Sequence, residues 1–458
     1  MMLWLLACDA PDAVRASDPA PAAPPVVIVG AGVAGLATAG ALGRGVLLEA
    51  DTTVGGRALW SGGAMQFVGV PPQAELGFED DPERAAADWE ALTGAPASEA
   101  TVRYLAGSST TYDRLLDAGV RFVPTVGLEP LTGAPRMFTV DGGGPALAEA
   151  LHAALPADVD VRLATGVEGL VWNEGRVVGV RTIDEEIAAS EVVIASGGFA
   201  GDLQRLAEVA VAEVWEGTNH GGTGDALAWA EAAGLPLGDT STVGWFTRRV
   251  GATAADGGLI ALDSIPWVWV DASGERFIDE SQTQSVTLAG PLRRAEDAWA
   301  IAARAHAASS VRGEHAADFE AAIAADEHVH CRHDVGTLAA AIGVDSTGLV
   351  TTVGAIDAVI RGAQDPFGRL PTTFSPLTGE LCAWRPGETA SKTYGGLVVD
   401  ADGRVLDAAG EAVPGLWAVG EAAGMGGPGL AGRHGFDGTL SAVVWSGWRV
   451  GDRLRGSR

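Results

Sequence analysis

Val26-Val27-Ile28-Val29-Gly30-Ala31-Gly32-Val33-Ala34-Gly35 runs from four apolar residues into three glycines, and a second apolar run, Val46-Leu47-Leu48, ends at Glu49. The pattern predicts a buried strand, a tight turn and a helix, with a second strand ending at an acid. Gly30 permits the sharp exit from the strand, Gly32 lets backbone approach a pyrophosphate, and Gly35 lets the helix pack close to the sheet. Val33 and Ala34 open that helix, whose free N–H groups and dipole favour an anion. Glu49, with Ala50 after it, stands where a carboxylate accepts from a ribose 2′-hydroxyl. Glycine-rich turns are common on their own. Here the strand before, the Ala-rich stretch 36–42 after and the spaced acid agree, which makes the run a dinucleotide-binding fingerprint.

The chain has 458 residues, 47% of them hydrophobic, enough for a large core in two domains or one domain with an insertion. Its formal charge of -29, from 30 basic and 59 acidic residues, argues against nucleic acid or an anionic membrane surface as a partner. Lys392 is the only lysine. Three cysteines, Cys8, Cys331 and Cys382, form no CxxC pair, so neither a disulfide framework nor an iron–sulfur site is expected. Cys8 ends Leu3-Trp4-Leu5-Leu6-Ala7-Cys8 and precedes a stretch rich in Ala, Pro and Asp. Two readings stand: a lipoprotein signal with a tether, which would anchor the protein to a membrane through Cys8, or a mis-assigned start ahead of a cytoplasmic enzyme.

Gly55-Gly56-Arg57 and Ser61-Gly62-Gly63 are two further places where backbone must come close to something. Residues 82–119 read as helical, and Gly142-Gly143-Gly144 opens another helix. Short strands are expected at 159–163, 169–172 and 177–182, before Glu191-Val192-Val193-Ile194-Ala195-Ser196-Gly197-Gly198-Phe199, a buried strand ending in a glycine pair. From about Gly222 to Arg385 the character changes, with Trp245, Phe246, Trp267 and Trp269 early and Ala-rich helices later. Strand and turn patterns resume at Tyr394-Gly395-Gly396-Leu397-Val398-Val399-Asp400 and Gly415-Leu416-Trp417-Ala418-Val419-Gly420-Glu421. An amphipathic helix from about Thr439 closes the chain.

Together these landmarks resemble the flavoprotein family of fumarate reductase, succinate dehydrogenase and the 3-ketosteroid dehydrogenases. Further marks are Gly222-Thr223-Gly224-Asp225-Ala226, Gly274-Glu275-Arg276-Phe277-Ile278-Asp279-Glu280 and the helical stretch 337–369. The resemblance implies an α/β fold: a discontinuous, Rossmann-like FAD-binding domain with an inserted α+β capping domain. The implied division is a leader and tether at 1–24, the FAD domain at 25–221 and 386–458, and the cap at 222–385. It implies FAD as cofactor, held by Gly30, Gly32, Val33, Ala34, Gly35, Glu49, Ala50, Gly55, Gly56, Arg57, Ser61, Gly62, Gly63, Ala195, Gly197, Gly420, Glu421, Gly438 and Thr439. Arg57 is either a phosphate contact or a surface arginine.

In this family, flavin N5 exchanges hydride with one carbon of a C–C bond while a protein group handles the proton on its neighbour. The polar residues that dicarboxylate reductases use fall here at Phe246, Leu259, Ile260 and Gln284, so simple fumarate reduction is not expected. Trp245, Phe246, Leu259, Ile260, Trp267 and Trp269 would line a larger, less charged pocket, or else form core. Lys392 stands where dicarboxylate reductases carry a carboxylate-binding histidine. Arg433 and His434 lie in the loop before the last helix, which carries a substrate arginine in the family. Arg433 or Lys392 is expected to polarise a substrate carbonyl or hold a carboxylate, with Tyr394 or His434 moving the proton; a structural hydrogen bond is the other reading of His434. The expected activity is hydride transfer on a CH–CH or enone substrate with an unknown electron donor or acceptor. The alternatives are an oxidase acting on C–N or C–OH bonds, prompted by Gly55-Gly56-Arg57, and a membrane-tethered electron-transfer flavoprotein. His328, His330, Cys331 and His333 have metal-ligand chemistry but no standard spacing, and read as a solvated loop, not a metal site.

Overall fold

Four consecutive buried residues, Val26–Val29, can all be buried only in a strand covered on both faces, as in a parallel sheet. The computed structural model describes residues 24–128, 132–209, 221–241, 243–248, 267–280, 298–309, 316–326, 329–384, 387–424 and 438–456. In it Val26–Val29 is central to a six-stranded sheet, ordered Arg404–Leu406, Ala412–Ala418, Glu191–Ile194, Val26–Val29, Gly45–Leu48, Val159–Arg162. The five strands from Ala412–Ala418 to Val159–Arg162 run parallel, and Arg404–Leu406 pairs antiparallel at the edge. Strands from both ends of the chain therefore share one sheet.

Alternate residues divide this sheet between two cores. Val26 and Ile28 enter one, with the helices Val33–Leu42 and Leu440–Gly456; Val27 and Val29 enter the other, with Phe199, Leu227 and Leu397. The two helices lie against each other so closely that a methyl on Gly447 would stand 2.3 Å from Ala34 O. Small residues at that crossing are a packing requirement.

A four-stranded antiparallel sheet, ordered Val268–Val270, Trp299–Ala303, Leu381–Trp384, Val329–Arg332, is built from the middle of the chain. The helices Val335–Ile342 and Ser346–Ile360 cover one face, matching the expected helical stretch. On the other face Trp267, Trp269 and Trp384 are buried together. Trp267 and Trp269 are thus core residues of this sheet, the second of the two readings open in the sequence. The ribbon Val243–Arg248 with Gly387–Thr393 leads back toward the main sheet.

Two expectations are corrected here. Cys331 and Cys382 form a disulfide between neighbouring strands, which spacing could not reveal because it depends on strand register. The histidine segment is not a solvated loop: Val329–Arg332 is a strand, His330 Nδ1 lies 2.9 Å from Asp326, and its ring meets Trp299. His328 lies outside the described residues, and among these no cluster of His, Cys, Asp and Glu could hold a metal. No helix of the described residues is long and apolar enough to cross a membrane, and Cys8 lies outside them.

The disulfide closes a loop of 51 residues. Chain entropy alone gives such a link about 4 kcal/mol, and measured values commonly run about 2–4 kcal/mol. Denaturant unfolding with and without a reductant is expected to differ by that amount, and Cys331→Ala/Cys382→Ala should behave like the reduced protein. Three free thiols titrating in the denatured, unreduced full chain, where the link would leave Cys8 alone, would remove it.

Candidate functional site

The parallel strands end along one edge, and their exits converge there. Gly30 takes φ 101°, its N–H donates to Leu48 O, and a methyl on it would stand 2.6 Å from Ala195 O. Gly35 is tighter still, since a methyl there would lie 1.9 Å from Gly30 O. Gly32 differs: a methyl built on it meets none of the described residues within 4 Å. The turn is thus closed on its protein side and open on the other.

The second glycine pair sits on this turn. Gly55 N donates to Ala31 O at 2.8 Å and bridges Gly32, while a methyl on Gly56 would come 3.2 Å from Gly32 Cα. Arg57 follows in a short 3-10 turn and runs beside Gly222. Glu49 uses both oxygens locally, Oε2 accepting from Ala31 N at 2.7 Å and Oε1 from Asp51 N at 3.0 Å. Each oxygen keeps a further lone pair. Ala50 is exposed, Val33 and Ala34 are buried at the helix start, and Ala34 packs against Gly420.

Ser61 Oγ accepts from Gly63 N at 3.1 Å, fixing a turn whose middle residue, Gly62, has none of the described residues over it. The strand Ala64–Gln66 continues from it and meets the last helix through a bridge from Met65 to Thr439. Gly438, at φ 78°, is pressed against Met65, so the start of that helix and the Gly62 turn are held as one unit. Three hydroxyl contacts lock it: Gln66 N donates to Ser441 Oγ, Tyr104 Oη pairs with Ser441 Oγ at 2.7 Å, and Tyr104 donates to Gln66 O.

On the opposite side, Glu421 Oε1 accepts from Thr393 N at 2.7 Å and Thr393 Oγ1 at 2.8 Å. A methyl on Gly198 would overlap Thr393 Oγ1 at 2.0 Å. Thr393 is buried between Lys392 and Tyr394, which are half-buried, with Lys392 Nζ 5.9 Å from the Tyr394 ring centre. That bond to Glu421 carries Lys392 and Tyr394 to the edge where Ala195, Gly197 and Gly420 lie. Arg433, His434, Leu259, Ile260 and Gln284 lie outside the described residues, and nothing is described of the Trp245 and Phe246 side chains.

Sequence reasoning did not single out Thr393, Ser196, Gln66, Tyr104 or Ser441 as site residues. Ser196 lies inside a recognised motif, and its Oγ is buried without a partner among the described residues at the exit of Glu191–Ile194. The others act through bonds between segments far apart in sequence, for which no local signal exists. Tyr104 also carries a pH signature. Burial pushes its phenol up to about 12, against the opposing bond to Ser441. A raised folded value means stability that is full below about pH 10 and lost as pH climbs toward 12. Spectrophotometric titration of the three tyrosines is expected to show a late ionisation absent from Tyr104→Phe. Normal ionisation of all three would show the phenol to be solvated.

Residues 25–435 match the family described as FAD binding domain. The chain belongs to this family. It is 28% identical to the KsdD-like steroid dehydrogenase of Mycolicibacterium smegmatis, over 91% of this chain and 95% of that protein. It is 25% identical to the fumarate reductase (cytochrome) of Shewanella frigidimarina, over 87% of this chain and 72% of that protein. The fold is that of 3-ketosteroid delta1-dehydrogenase from Sterolibacterium denitrificans, solved in complex with 1,4-androstadiene-3,17-dione, with a TM-score of 0.79 at 19% identity, covering 94% of this chain and 99% of that one. The chain is an FAD-dependent oxidoreductase, similar to ketosteroid dehydrogenases and fumarate reductases. Neither C–N or C–OH oxidation nor a pure electron-transfer role is favoured. The edge described above fits FAD: among the described residues, space is open over Gly32 and Gly62, the buried Ser196 hydroxyl has no partner, and Glu421 is engaged through Oε1 alone.

Proposed function

We propose that the enzyme exchanges hydride with a carbonyl-bearing, largely apolar CH–CH or enone substrate of the steroid kind, under a cap formed by residues 222–385. The observation that carries the reading is the Lys392-Thr393-Tyr394 segment, whose buried middle residue is fastened to Glu421 at the cofactor edge. The missing dicarboxylate clamps and the similarity to KsdD-like steroid dehydrogenase support the substrate class. The FAD domain is then the discontinuous Rossmann-like unit, completed by strands from both ends of the chain.

Bound FAD supplies hydride exchange at flavin N5. Backbone at Gly30, Gly32 and Gly35 and the amides opening the Val33–Leu42 helix hold the pyrophosphate, with Gly55, Gly56, Arg57, Ala195 and Gly197 around it. Glu49 takes the adenosine ribose beside Ala50, and Glu421 with Gly420 takes the ribityl or pyrophosphate region. Ser61, Gly62, Gly63, Gly438 and Thr439 border the flavin ring. Lys392 polarises the substrate carbonyl as a compact positive charge, and Tyr394 moves the proton on the neighbouring carbon through its hydroxyl. Arg433 and His434, outside the described residues, are the alternative candidates for the same two tasks.

The test is anaerobic photoreduction of the FAD-loaded full chain, followed by reoxidation with an enone steroid, fumarate, a quinone dye or oxygen. Rapid reoxidation by the enone, unmatched by fumarate, is the expected result. Rapid reoxidation by fumarate would overturn the apolar substrate class, and reactivity with oxygen alone would return the oxidase alternative.

A further inference from the structure

Gln66 is 2% exposed, and its backbone is fully used: N donates to Ser441 Oγ at 3.2 Å, O accepts from Tyr104 Oη, and the strand pairs with Met137. Its side chain is not. Gln66 Nε2 is buried with no hydrogen-bond partner among the described residues. A carboxamide donor removed from water and left unpaired is a cost that folded chains rarely keep, and an apolar residue of the same shape would avoid it. Something that binds must therefore bring the acceptor.

Placement says what that is. Met65 and Phe67 enter the main core, and side chains alternate along a strand, so Gln66 shares its face with Ala64, which follows the open Gly62 turn. Gly438 and Ser441 flank it at the start of the last helix. The phosphate-binding turn at Gly30 to Gly35 is a separate feature of the same edge, so a dinucleotide lying along that edge presents its other end here. On the flavin ring the acceptors are the pyrimidine carbonyl oxygens and ring nitrogens. Negative charge grows on the pyrimidine edge when the flavin is reduced, and a fixed donor there stabilises the reduced form most.

We propose that Gln66 donates a hydrogen bond from Nε2 to a pyrimidine oxygen of the bound flavin and raises its reduction potential. The inference rests on the flavin placement proposed above. Gln66→Met keeps the shape without the donor, and Gln66→Glu keeps the shape with a negative charge. In Gln66→Met the apo protein should melt at or above the wild-type temperature, the Kd for FAD should rise about tenfold, and the midpoint potential should fall by about 30 mV, the two-electron equivalent of a tenfold lost preference for reduced flavin. Gln66→Glu should lower the potential further.

A lower apo melting temperature in Gln66→Met would mean that an ordered water or the protein satisfies Nε2, and would overturn the proposal. Weaker FAD binding at an unchanged potential would move the contact to the ribityl chain or phosphates and overturn the ring assignment. If Gly32→Ala abolishes FAD binding while Gln66→Met changes neither affinity nor potential, this inference alone falls. If Gly32→Ala also binds FAD normally, the placement itself falls.

Discussion

Gly32→Ala is expected to leave the apo protein as stable as the wild type and to weaken FAD binding at least about a hundredfold, whereas Gly35→Ala is expected to yield no folded protein. The two substitutions add the same methyl within one turn. Gly32 has φ −66° and ψ 173°, extended values that alanine adopts freely, and its methyl would meet none of the described residues within 4 Å. Restricting the unfolded chain should even stabilise the apo form by about 0.4–1 kcal/mol. The methyl would fill the space that the pyrophosphate needs to reach the helix amides, and a hundredfold loss corresponds to about 2.7 kcal/mol. Gly35 lies within the helix, where alanine propensity is worth about 1 kcal/mol. A methyl 1.9 Å from Gly30 O cannot be relieved by a side-chain shift, because the obstacle is backbone of the central strand's exit. Apo melting curves and FAD titration by flavin fluorescence separate the cases. Wild-type FAD affinity in Gly32→Ala would mean that this turn does not hold the pyrophosphate.

That contrast marks what the sequence makes legible. Strand, turn, helix and acid can be read from Val26 to Glu49 because each rests on local chemistry: apolar runs, glycines at fixed steps and a carboxylate at a strand tip. The closing helix follows from its amphipathic pattern in the same way, while the stretch at 337–369 is marked by the family resemblance and the one at 82–119 resolves into Pro82–Thr93, Glu99–Ala106 and Ser108–Asp117. What stays hidden is set by distant pairing. Thr393 reaches Glu421 and Gly198, Tyr104 reaches Ser441, and Cys331 reaches Cys382, each across sequence that carries no mark of the partner. Trp267 and Trp269 are the sharper case. Tryptophan in a cap suits either a pocket or a core, and only the neighbouring Trp384 and the disulfide decide for core.

Arg276 and Glu280 were visible as a motif, but their work was not, because Asp365 and Arg369 lie 89 positions away from them. The four form a buried network of two cations and two anions. Glu280 takes Arg276 Nε at 2.8 Å and Nη2 at 2.6 Å, Arg369 Nη1 at 3.0 Å and Trp269 N at 3.0 Å, while Asp365 takes Arg276 Nη1 and the backbone of Arg369. Burial works against the charge on Arg276, yet the bonds to Glu280 and Asp365 outweigh it and hold its pKa above the ordinary value. Glu280→Leu leaves one positive charge buried without compensation and is expected to cost about 3–5 kcal/mol. Adding Arg369→Met restores the balance of one cation to one anion, so the double variant should be more stable than Glu280→Leu alone although it removes more bonds. Denaturant unfolding of the two variants measures the coupling directly. If the second substitution further destabilises the first, the arginine's bonds to Trp267 O and Thr373 O outweigh its charge, and the network is a set of hydrogen bonds before it is an ion cluster.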